Sequence, residues 1–435
     1  MLPRQTTITI GAFILMAAAL PHGVRPAQLI STLTLIRPVV KPIVVKPIVV
    51  NPIVAVAGAI AKPSIPPPAA VIPDLDVPPG SLDAFYASLR EDGTTRVLHY
   101  GDSPTTADSI TSDIRRLLQQ RFGDAGHGFV LIAKPWAWYG HNGIGLDARG
   151  WKIEPASQSR ASDGFHGLGG VSFRGEPGAV SRVTLPDAAH TKVTVYYLSQ
   201  PDGGTFALHA KGTSRDTNIG EVDTADDKKP GFAEFALPPG TITIELTVSS
   251  GNVRLFGYRF DKKRPGVQYS SLGVNGAQVQ MVLRYFEPHQ WTAALRHEDP
   301  ALVVLNYGTN ESIFPAYVEN QYPDELRKVI ARVREALPKA SILLMGPMDR
   351  GVMDASGEIT TPESLEKLIE VQKAVAAETG CAFFNTFHAM GGAGTMGRWY
   401  HAEPRLVSAD FMHPLPAGAA KVGALFEEAL VAGYR

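Results

Sequence analysis

Short apolar runs alternate along much of the chain with segments whose apolar residues recur every three or four positions. The runs at 96–100, 267–272, 301–306, 341–345 and 382–385 predict buried strands. Between and after them, the stripes Ile110/Ile114/Leu118, Leu326/Val329/Ile330/Val333 and Leu365/Leu368/Ile369 predict amphipathic helices. Because such alternation favours a parallel sheet covered on both faces, we predict an α/β fold with a five-stranded parallel sheet.

The pattern changes between residues 148 and 262. Apolar and polar residues alternate there in short runs such as VSFRG, KVTVYYLS and TITIELTV, separated by Gly, Pro, Asp and Asn. This periodicity of two predicts an antiparallel β-sandwich of jelly-roll-like appearance. The insert divides the α/β domain into a first part, 81–147, and a second part, 263–435.

The N-terminal 80 residues have a different character. An apolar stretch at 8–20 follows Arg4 and has the length of a secretory signal core, so we predict a signal peptide or an uncleaved anchor within 1–30. Residues 31–80 repeat proline among valines and isoleucines, which predicts an extended linker. Together these segments indicate a periplasmic or secreted, envelope-attached protein, with the N-terminus as its means of attachment to a membrane or envelope surface.

Composition narrows the functions that the chain can have. Its 435 residues carry a formal net charge of −1, and 44% of them are hydrophobic, as in a globular protein. With no basic stripe, we expect no nucleic-acid partner. The single cysteine, Cys381, excludes an internal disulfide and lies in an apolar run. The oligomeric state is not indicated.

Polar residues suited to acyl transfer follow the predicted strands. They are Ser103 in YGDSP, Gly276 in GVNGAQ, Asn310 in YGTNES, and Asp410 and His413 in DFMHP. A serine needs an imidazole to take its proton and a carboxylate to orient that imidazole, and the three-residue spacing in the last motif suits this pair. The backbone N–H groups of Ser103 and Gly276 and the amide of Asn310 would form an oxyanion hole. Since parallel strands end at one edge of their sheet, we expect all five residues to meet there.

These four motifs, in this order, resemble those of the SGNH (GDSL-type) hydrolases. The resemblance implies a flavodoxin-like three-layer α/β/α fold, the triad and the oxyanion hole named above, and no cofactor. The run LHYGDSPTTADSITSDIRRLLQQRFGDAGHGF is similar to the first block of bacterial peptidoglycan O-acetylesterases, which also carry inserted modules resembling carbohydrate-binding domains. Pro104 and Glu311 depart from the usual pattern, and we expect the second departure to leave the Asn310 amide unaffected. Asp102 is predicted to close the turn before Ser103.

The run KPWAWYGHNG supplies candidate substrate-binding residues. Trp136, Trp138 and Tyr139 are suited to stacking on sugar rings, and His141 and Asn142 to bonding hydroxyl groups. The alternative is that the aromatic residues pack the insert against the α/β domain. No metal-ligand motif occurs among the twelve histidines, and we predict no metal site.

Three functional hypotheses follow from these patterns. The first is a serine esterase that removes O-acetyl groups from a polysaccharide, either peptidoglycan or another cell-surface or plant glycan. The second is a polysaccharide O-acetyltransferase with the same triad, in which a sugar hydroxyl intercepts the acyl-enzyme. The third is a glycan-binding envelope protein with a vestigial catalytic fold.

Overall fold

The computed structural model describes residues 74–157, 163–212 and 216–434. The predicted signal peptide or anchor and most of the predicted linker lie outside these residues. The strands are β1 (Leu75–Asp76), β2 (Thr94–Gly101), β3 (Gly128–Val130), β4 (Gly145–Pro155), β5 (Val171–Thr184), β6 (His190–Ser199), β7 (Thr205–Gly212), β8 (Asp216–Asp223), β9 (Lys229–Ala236), β10 (Thr241–Ser250), β11 (Val253–Lys262), β12 (Gly266–Gly273), β13 (Leu302–Asn306), β14 (Ser341–Met345), β15 (Val352–Met353), β16 (Ile359–Thr360) and β17 (Ala382–Phe384).

The helices alternate with the strands of the α/β part, as the apolar stripes predict. They are α1 (Asp83–Arg90), α2 (Ser103–Thr106), α3 (Ser109–Phe122), α4 (Met281–Arg284), α5 (Pro288–Glu298), α6 (Pro315–Asn320), α7 (Tyr322–Ala336), α8 (Glu363–Thr379), α9 (Thr386–Ala389), α10 (Thr395–His401) and α11 (Pro416–Ala432), with a 3₁₀ turn at Glu311–Ile313. Among the helices in the described ranges, none has both the length and the hydropathy to cross a membrane.

A six-stranded sheet carries the motifs that are predicted to be catalytic. Its order is β1-β17-β14-β13-β2-β12, and the last five strands run parallel. This is the flavodoxin-like order, so the predicted five-stranded parallel sheet is confirmed. The additional strand β1 is antiparallel and pairs Leu75 with Phe384. The last residues of the predicted 31–80 linker are therefore part of the fold.

The two faces of this sheet pack into two separate hydrophobic cores, because successive side chains of a strand point to opposite faces. Val97 and Val304 pack with apolar residues of α1, α3 and α11 on one face. Leu98 and Val303 pack on the other face with residues of α5, α7 and α8 and of the antiparallel strands. Helices cover both faces, which gives the predicted three layers.

Strands β3 to β11 form one nine-stranded antiparallel sheet, and β15 and β16 pair as a separate antiparallel ribbon. The main path of the nine-stranded sheet is β8-β7-β10-β5-β11-β6-β9, with β3 paired to β11 and β4 to β5, and its end strands β8 and β9 contact each other. An additional β region is thus present, but it begins earlier than the predicted residue 148. The jelly-roll-like sandwich itself stays a prediction.

The antiparallel sheet is joined to the α/β layers through buried polar contacts as well as through their shared core. Arg259 of β11 lies 3.4 Å from the carboxylate of Glu298 at the end of α5, and the Tyr196 hydroxyl of β6 donates to the same carboxylate. Both parts belong to one compact unit. The site therefore forms on a single body. The parallel strands β2, β12, β13 and β17 all end at the same edge of the sheet, and the turn with Asp410 and His413 follows β17 in the chain.

Candidate active site

The structure brings the three predicted triad residues into one chain of hydrogen bonds. Ser103 is the first residue of α2, directly after β2. The distance from His413 Nε2 to Ser103 Oγ is 2.8 Å, and that from His413 Nδ1 to Asp410 Oδ2 is 2.7 Å. With Nδ1–H donated to the carboxylate, Nε2 carries the lone pair that can accept the serine proton.

The turn that carries Asp410 and His413 is held by its own hydrogen bonds. Asp410 Oδ1 accepts from the backbone N–H groups of Met412 and His413, at 2.9 and 3.0 Å, and from Ser408 Oγ at 2.5 Å. Phe411 completes the turn in the left-handed region with φ of +58°. The carboxylate is therefore fixed before any substrate binds.

The electrostatics of this pair suit general-base catalysis. Partial burial alone would raise the pKa of Asp410, but the hydrogen bonds from His413 and Ser408 outweigh it and hold the pKa well below its ordinary value. The hydrogen bond to Asp410 in turn raises the pKa of His413, against the opposing effect of partial burial. Asp410 is thus ionised at neutral pH and stabilises the imidazolium that forms when His413 takes a proton.

Gly276 and Asn310, the predicted oxyanion donors, lie on adjacent loops. Asn310 Nδ2 donates to the carbonyl oxygen of Ala277 at 2.8 Å and lies 3.5 Å from Oδ2 of Asp102, the neighbour of Ser103. Gly276 has φ of +70°, and a Cβ added to it would meet no atom within 4 Å. A left-handed residue beside open space is where glycine is favoured and where a substrate can approach the backbone.

Two buried carboxyl groups, Asp102 and Glu311, directly adjoin the predicted site residues Ser103 and Asn310 in the chain. Asp102, 2% exposed, makes no side-chain capping bond to α2. Burial raises the pKa of Asp102 to about 7, although a hydrogen bond with Thr309 and the charge of His413 act in the opposite direction. Burial likewise raises the pKa of Glu311 to about 8. Sequence reasoning assigned neither carboxyl a part in the site, and the only available signal was that each adjoins a predicted catalytic residue.

The predicted substrate-binding loop is mostly turned inward. Trp136 and Tyr139 are 6% and 5% exposed, and the Tyr139 hydroxyl accepts from Leu131 N at 3.1 Å. His141 Nδ1 lies 3.0 Å from a ring nitrogen of His127. These three residues are used in packing, which corrects the expectation that they contact substrate.

Asn142 is also used within the fold, whereas Trp138 is not. Asn142 Nδ2 donates to Ser112 Oγ at 2.7 Å and to Asp108 O at 3.1 Å, which ties its loop to α3. Trp138 is 55% exposed and keeps a free aromatic surface. Since the N–H of Gly140 donates to Thr106 O at 3.3 Å, this loop passes beside the helix that Ser103 begins. Of the five candidates, Trp138 and the exposed Asn142 remain predicted substrate contacts.

One group of residues in the described ranges has the donor atoms of a metal site. The ligand atoms of Asp108, His127 and His141 lie within 4.8 Å of one another. The Asp108 carboxylate, however, already accepts from both terminal nitrogens of Arg115, at 3.1 and 2.5 Å, and from Thr111 at 2.7 Å. A guanidinium thus occupies the charge-neutralising position that a cation would take. We assign a structural role to this group, and the absence of a metal stays a prediction.

Comparisons with known proteins bear on the family and the fold of this chain. Residues 242–421 match the model of the GDSL-like lipase/acylhydrolase family. No curated protein matches the chain. A solved structure described as a peptidoglycan O-acetylesterase in action is 20% identical, with a TM-score of 0.68 over 82% of this chain and 97% of that one. A family two carbohydrate esterase from Clostridium thermocellum is 12% identical, with a TM-score of only 0.29 over 66% of this chain and 98% of that one.

The family match and the solved peptidoglycan O-acetylesterase bear on different features of the chain. The family match spans the motifs of Gly276, Asn310, Asp410 and His413, and the solved esterase shares the fold of nearly the whole described chain. The predicted resemblance is confirmed: the chain resembles the SGNH, GDSL-type hydrolases and has the fold of a peptidoglycan O-acetylesterase.

Proposed function

We propose that this protein is a serine esterase that removes O-acetyl groups from a polysaccharide through an acyl-enzyme, with peptidoglycan as the first candidate substrate. The observation that carries the proposal is the unbroken series of hydrogen bonds from Ser103 Oγ through His413 to Asp410, at 2.8 and 2.7 Å. Such a series activates a serine for attack on a carbonyl carbon.

The proposed reaction has two halves. Ser103 Oγ attacks the acetyl carbonyl while His413 Nε2 takes the hydroxyl proton, and the sugar oxygen leaves with that proton as its bond to the acetyl carbon breaks. Water then gives a proton to His413 and attacks the acetyl-serine carbonyl; as the bond from that carbon to Ser103 Oγ breaks, His413 returns the proton to Oγ, and acetate is released. The N–H groups of Ser103 and Gly276 and the amide of Asn310 stabilise the oxyanion in both halves.

Exposure of the His413–Asp410 pair supports a polymeric substrate. The side chains of His413 and Asp410 are 40% and 51% exposed, so the general base lies at the surface and not at the end of a narrow tunnel. An acetyl group carried on a large polymer can reach such a site. Trp138, with its exposed ring, is the described residue best suited to stacking on a neighbouring sugar.

The fold shared with a peptidoglycan O-acetylesterase supports a cell-wall glycan as the substrate, and we infer an extracytoplasmic location for the same reason. We also propose that the antiparallel sheet contributes to glycan binding. Removal of an O-acetyl group needs neither a metal nor a redox cofactor, and we propose that the enzyme uses none.

Acetate release tests the proposal directly. Purified protein is incubated with O-acetylated peptidoglycan and with a second acetylated polymer such as a xylan, and Ser103→Ala is the matched control. We expect acetate from at least one polymer with the wild type and none above background with the variant. Equal acetate release by both proteins would exclude the acyl-enzyme mechanism.

Two further experiments distinguish the esterase from the transferase and from the binding protein with a vestigial catalytic fold. With an acetyl donor and an unacetylated oligosaccharide supplied together, a transferase accumulates acetylated sugar, whereas an esterase accumulates acetate. A protein with a vestigial catalytic fold would neither release acetate nor react at Ser103 with a fluorophosphonate probe. The short contact of His413 Nε2 with Ser103 favours reaction with the probe.

A further inference from the structure

The buried carboxyl of Glu311 connects the two loops that carry the oxyanion donors. Glu311 is fully buried and directly follows Asn310 at the start of the 3₁₀ turn. Its Oε1 accepts from the backbone N–H of Val279 at 2.7 Å. Val279 lies three residues after Gly276, so this bond links the loop after β12 to the loop after β13.

Neighbouring bonds reinforce this connection. Asn310 Nδ2 donates to Ala277 O at 2.8 Å, and Gln278 Nε2 lies 3.4 Å from Asn310 O. Three consecutive residues, Ala277 to Val279, are thus each bonded to Asn310 or Glu311. Of these bonds, the one to Glu311 has the shortest distance and is buried.

Gly276 depends on such bonds for its position. It has no side chain, and no atom lies within 4 Å of where a Cβ would be. On its N-terminal side the loop is held by the N–H of Val274, which donates to Gly101 O at 3.1 Å. On its C-terminal side two bonds hold the loop, from Asn310 Nδ2 to Ala277 O and from Val279 N to Glu311, and the second is the buried one. An oxyanion donor stabilises charge only if its position is set in advance.

Burial of the Glu311 carboxyl costs free energy that an apolar side chain at this position would not. Its second oxygen, Oε2, is buried and has no hydrogen-bond partner in the described structure. Buried polar atoms without partners are rare in folded proteins, and a carboxyl is costly to bury. Because Glu311 directly follows the proposed oxyanion donor Asn310, its side-chain hydrogen bond to Val279 N bears on the geometry of that site.

We propose that Glu311 is a positioning residue of the oxyanion hole, which holds the Gly276 loop in register with Asn310. Glu311 itself touches no reacting atom. The inference rests on the proposed acyl-transfer chemistry but not on which polymer is the substrate.

Two substitutions separate the hydrogen bond from the volume of the side chain. Glu311→Gln keeps the acceptor atom and the shape, and it resembles the protonated acid that burial favours. Glu311→Leu fills similar space but offers no acceptor to Val279 N. On a small chromogenic acetyl ester, we expect Glu311→Gln to stay within about threefold of wild-type kcat, and Glu311→Leu to lose roughly 10- to 100-fold in kcat with KM little changed.

A buried carboxylate elsewhere supplies the matched control. Glu298 is also fully buried and pairs with Arg259, but it lies at the end of α5 and bonds to the antiparallel sheet. We expect Glu298→Gln to lower Tm while kcat per folded molecule stays at the wild-type level. Loss of kcat in Glu311→Leu that exceeds its loss of folded protein then reports on the site and not on stability.

A double substitution gives the decisive measurement. If Glu311 acts through the oxyanion hole, the loss of kcat in Asn310→Ala/Glu311→Leu will be much smaller than the product of the two single losses. Fully multiplicative losses, or a Glu311→Leu enzyme with wild-type kcat, would overturn the positioning role. A wild-type protein that cleaves no acetyl ester would instead refute the proposed function, so the two failures are distinct.

Discussion

The two sides of the catalytic centre are built in opposite ways. On the nucleophile side, Ser103, His413 and Asp410 bond to one another through side chains, and two of them are 40% or more exposed. On the oxyanion side, Asn310 and Glu311 bond to the backbone of the neighbouring loop, and Glu311 is fully buried. The proposed general base is thus accessible, although Ser103 itself is only 9% exposed, whereas the carboxyl beside the proposed oxyanion donor Asn310 is held in the protein interior.

This difference shows what each side requires. A general base must reach the substrate and exchange protons with water, so exposure serves it. Donors to an oxyanion must not reorganise during the reaction, so rigid attachment to buried backbone serves them. Substitutions on the two sides should therefore differ in the size of their effects and in the parameters that they change.

The largest effect is expected on the nucleophile side. His413→Ala removes the base that takes the Ser103 proton, and we expect kcat to fall by on the order of 10⁶-fold. Acetate release or ester hydrolysis at pH 8 measures the loss, with thermal unfolding as a check of the fold. Retention of more than a hundredth of wild-type kcat would show that another group acts as the base.

Asp410→Asn should have the next largest effect. The amide leaves the turn similar in shape but no longer favours the correct tautomer of His413 or stabilises the imidazolium, so we expect a loss of roughly 10⁴-fold in kcat. Ser408→Ala is a milder companion variant, because it removes only one of the bonds to Asp410. Equal losses of kcat in Asp410→Asn and Ser408→Ala would contradict the orienting role of the Asp410 carboxylate.

Asn310→Ala tests the oxyanion side. It removes a single donor, so we expect kcat to fall by roughly 10²- to 10³-fold with KM nearly constant. Steady-state kinetics on a small acetyl ester suffices for the measurement. A change confined to KM would mean that Asn310 binds the ground state and not the developing oxyanion.

The pH dependence of kcat/KM should reflect the protonation of His413. Only neutral His413 can accept the Ser103 proton, so kcat/KM should fall about tenfold for each pH unit below its pKa. The bond to Asp410 raises the pKa of His413 above its ordinary value of about 6.5, so the decline should begin above that pH. Rates measured from pH 5 to 9 locate the midpoint, and one clearly below 6.5 would contradict the described pair.

Trp138→Ala should have the smallest effect. The exposed ring can contact a polymer but lies outside the triad, so we expect KM for an acetylated polymer to rise a few-fold, with no change on a small chromogenic ester. Trp136→Phe is a matched aromatic control in the same loop, because Trp136 is buried. Equal behaviour of Trp138→Ala on both substrates would remove the case for sugar stacking.

The nucleophile side could be predicted from the sequence because its signals are local. Asp410 and His413 are three residues apart, and a single turn brings their side chains together. Ser103, Gly276 and Asn310 each follow a strand that apolar runs identify, and parallel strands end at a common edge. These signals needed no knowledge of distant contacts.

The aromatic loop and the oxyanion side show where such prediction ends. Nothing in KPWAWYGHNG indicates that Trp136 and Tyr139 turn inward while Trp138 turns outward. Likewise, Glu311 looks like a minor departure from a motif until its bond to Val279, on another loop, is seen. Both outcomes depend on which distant segment packs beside the residue, and this is set by the whole fold.

The sequence by itself determined the five parallel strands, their helices and an additional β region, and it predicted the residues of the triad. Local periodicity and spacing suffice for these features, because they are fixed by the geometry of single elements. Only the tertiary structure decided that the antiparallel sheet begins before residue 148, that the predicted substrate loop is largely buried, and that Glu311 bonds to Val279 on a neighbouring loop. Burial and long-range hydrogen bonds come from residues far apart in the chain, whose meeting depends on all the packing between them.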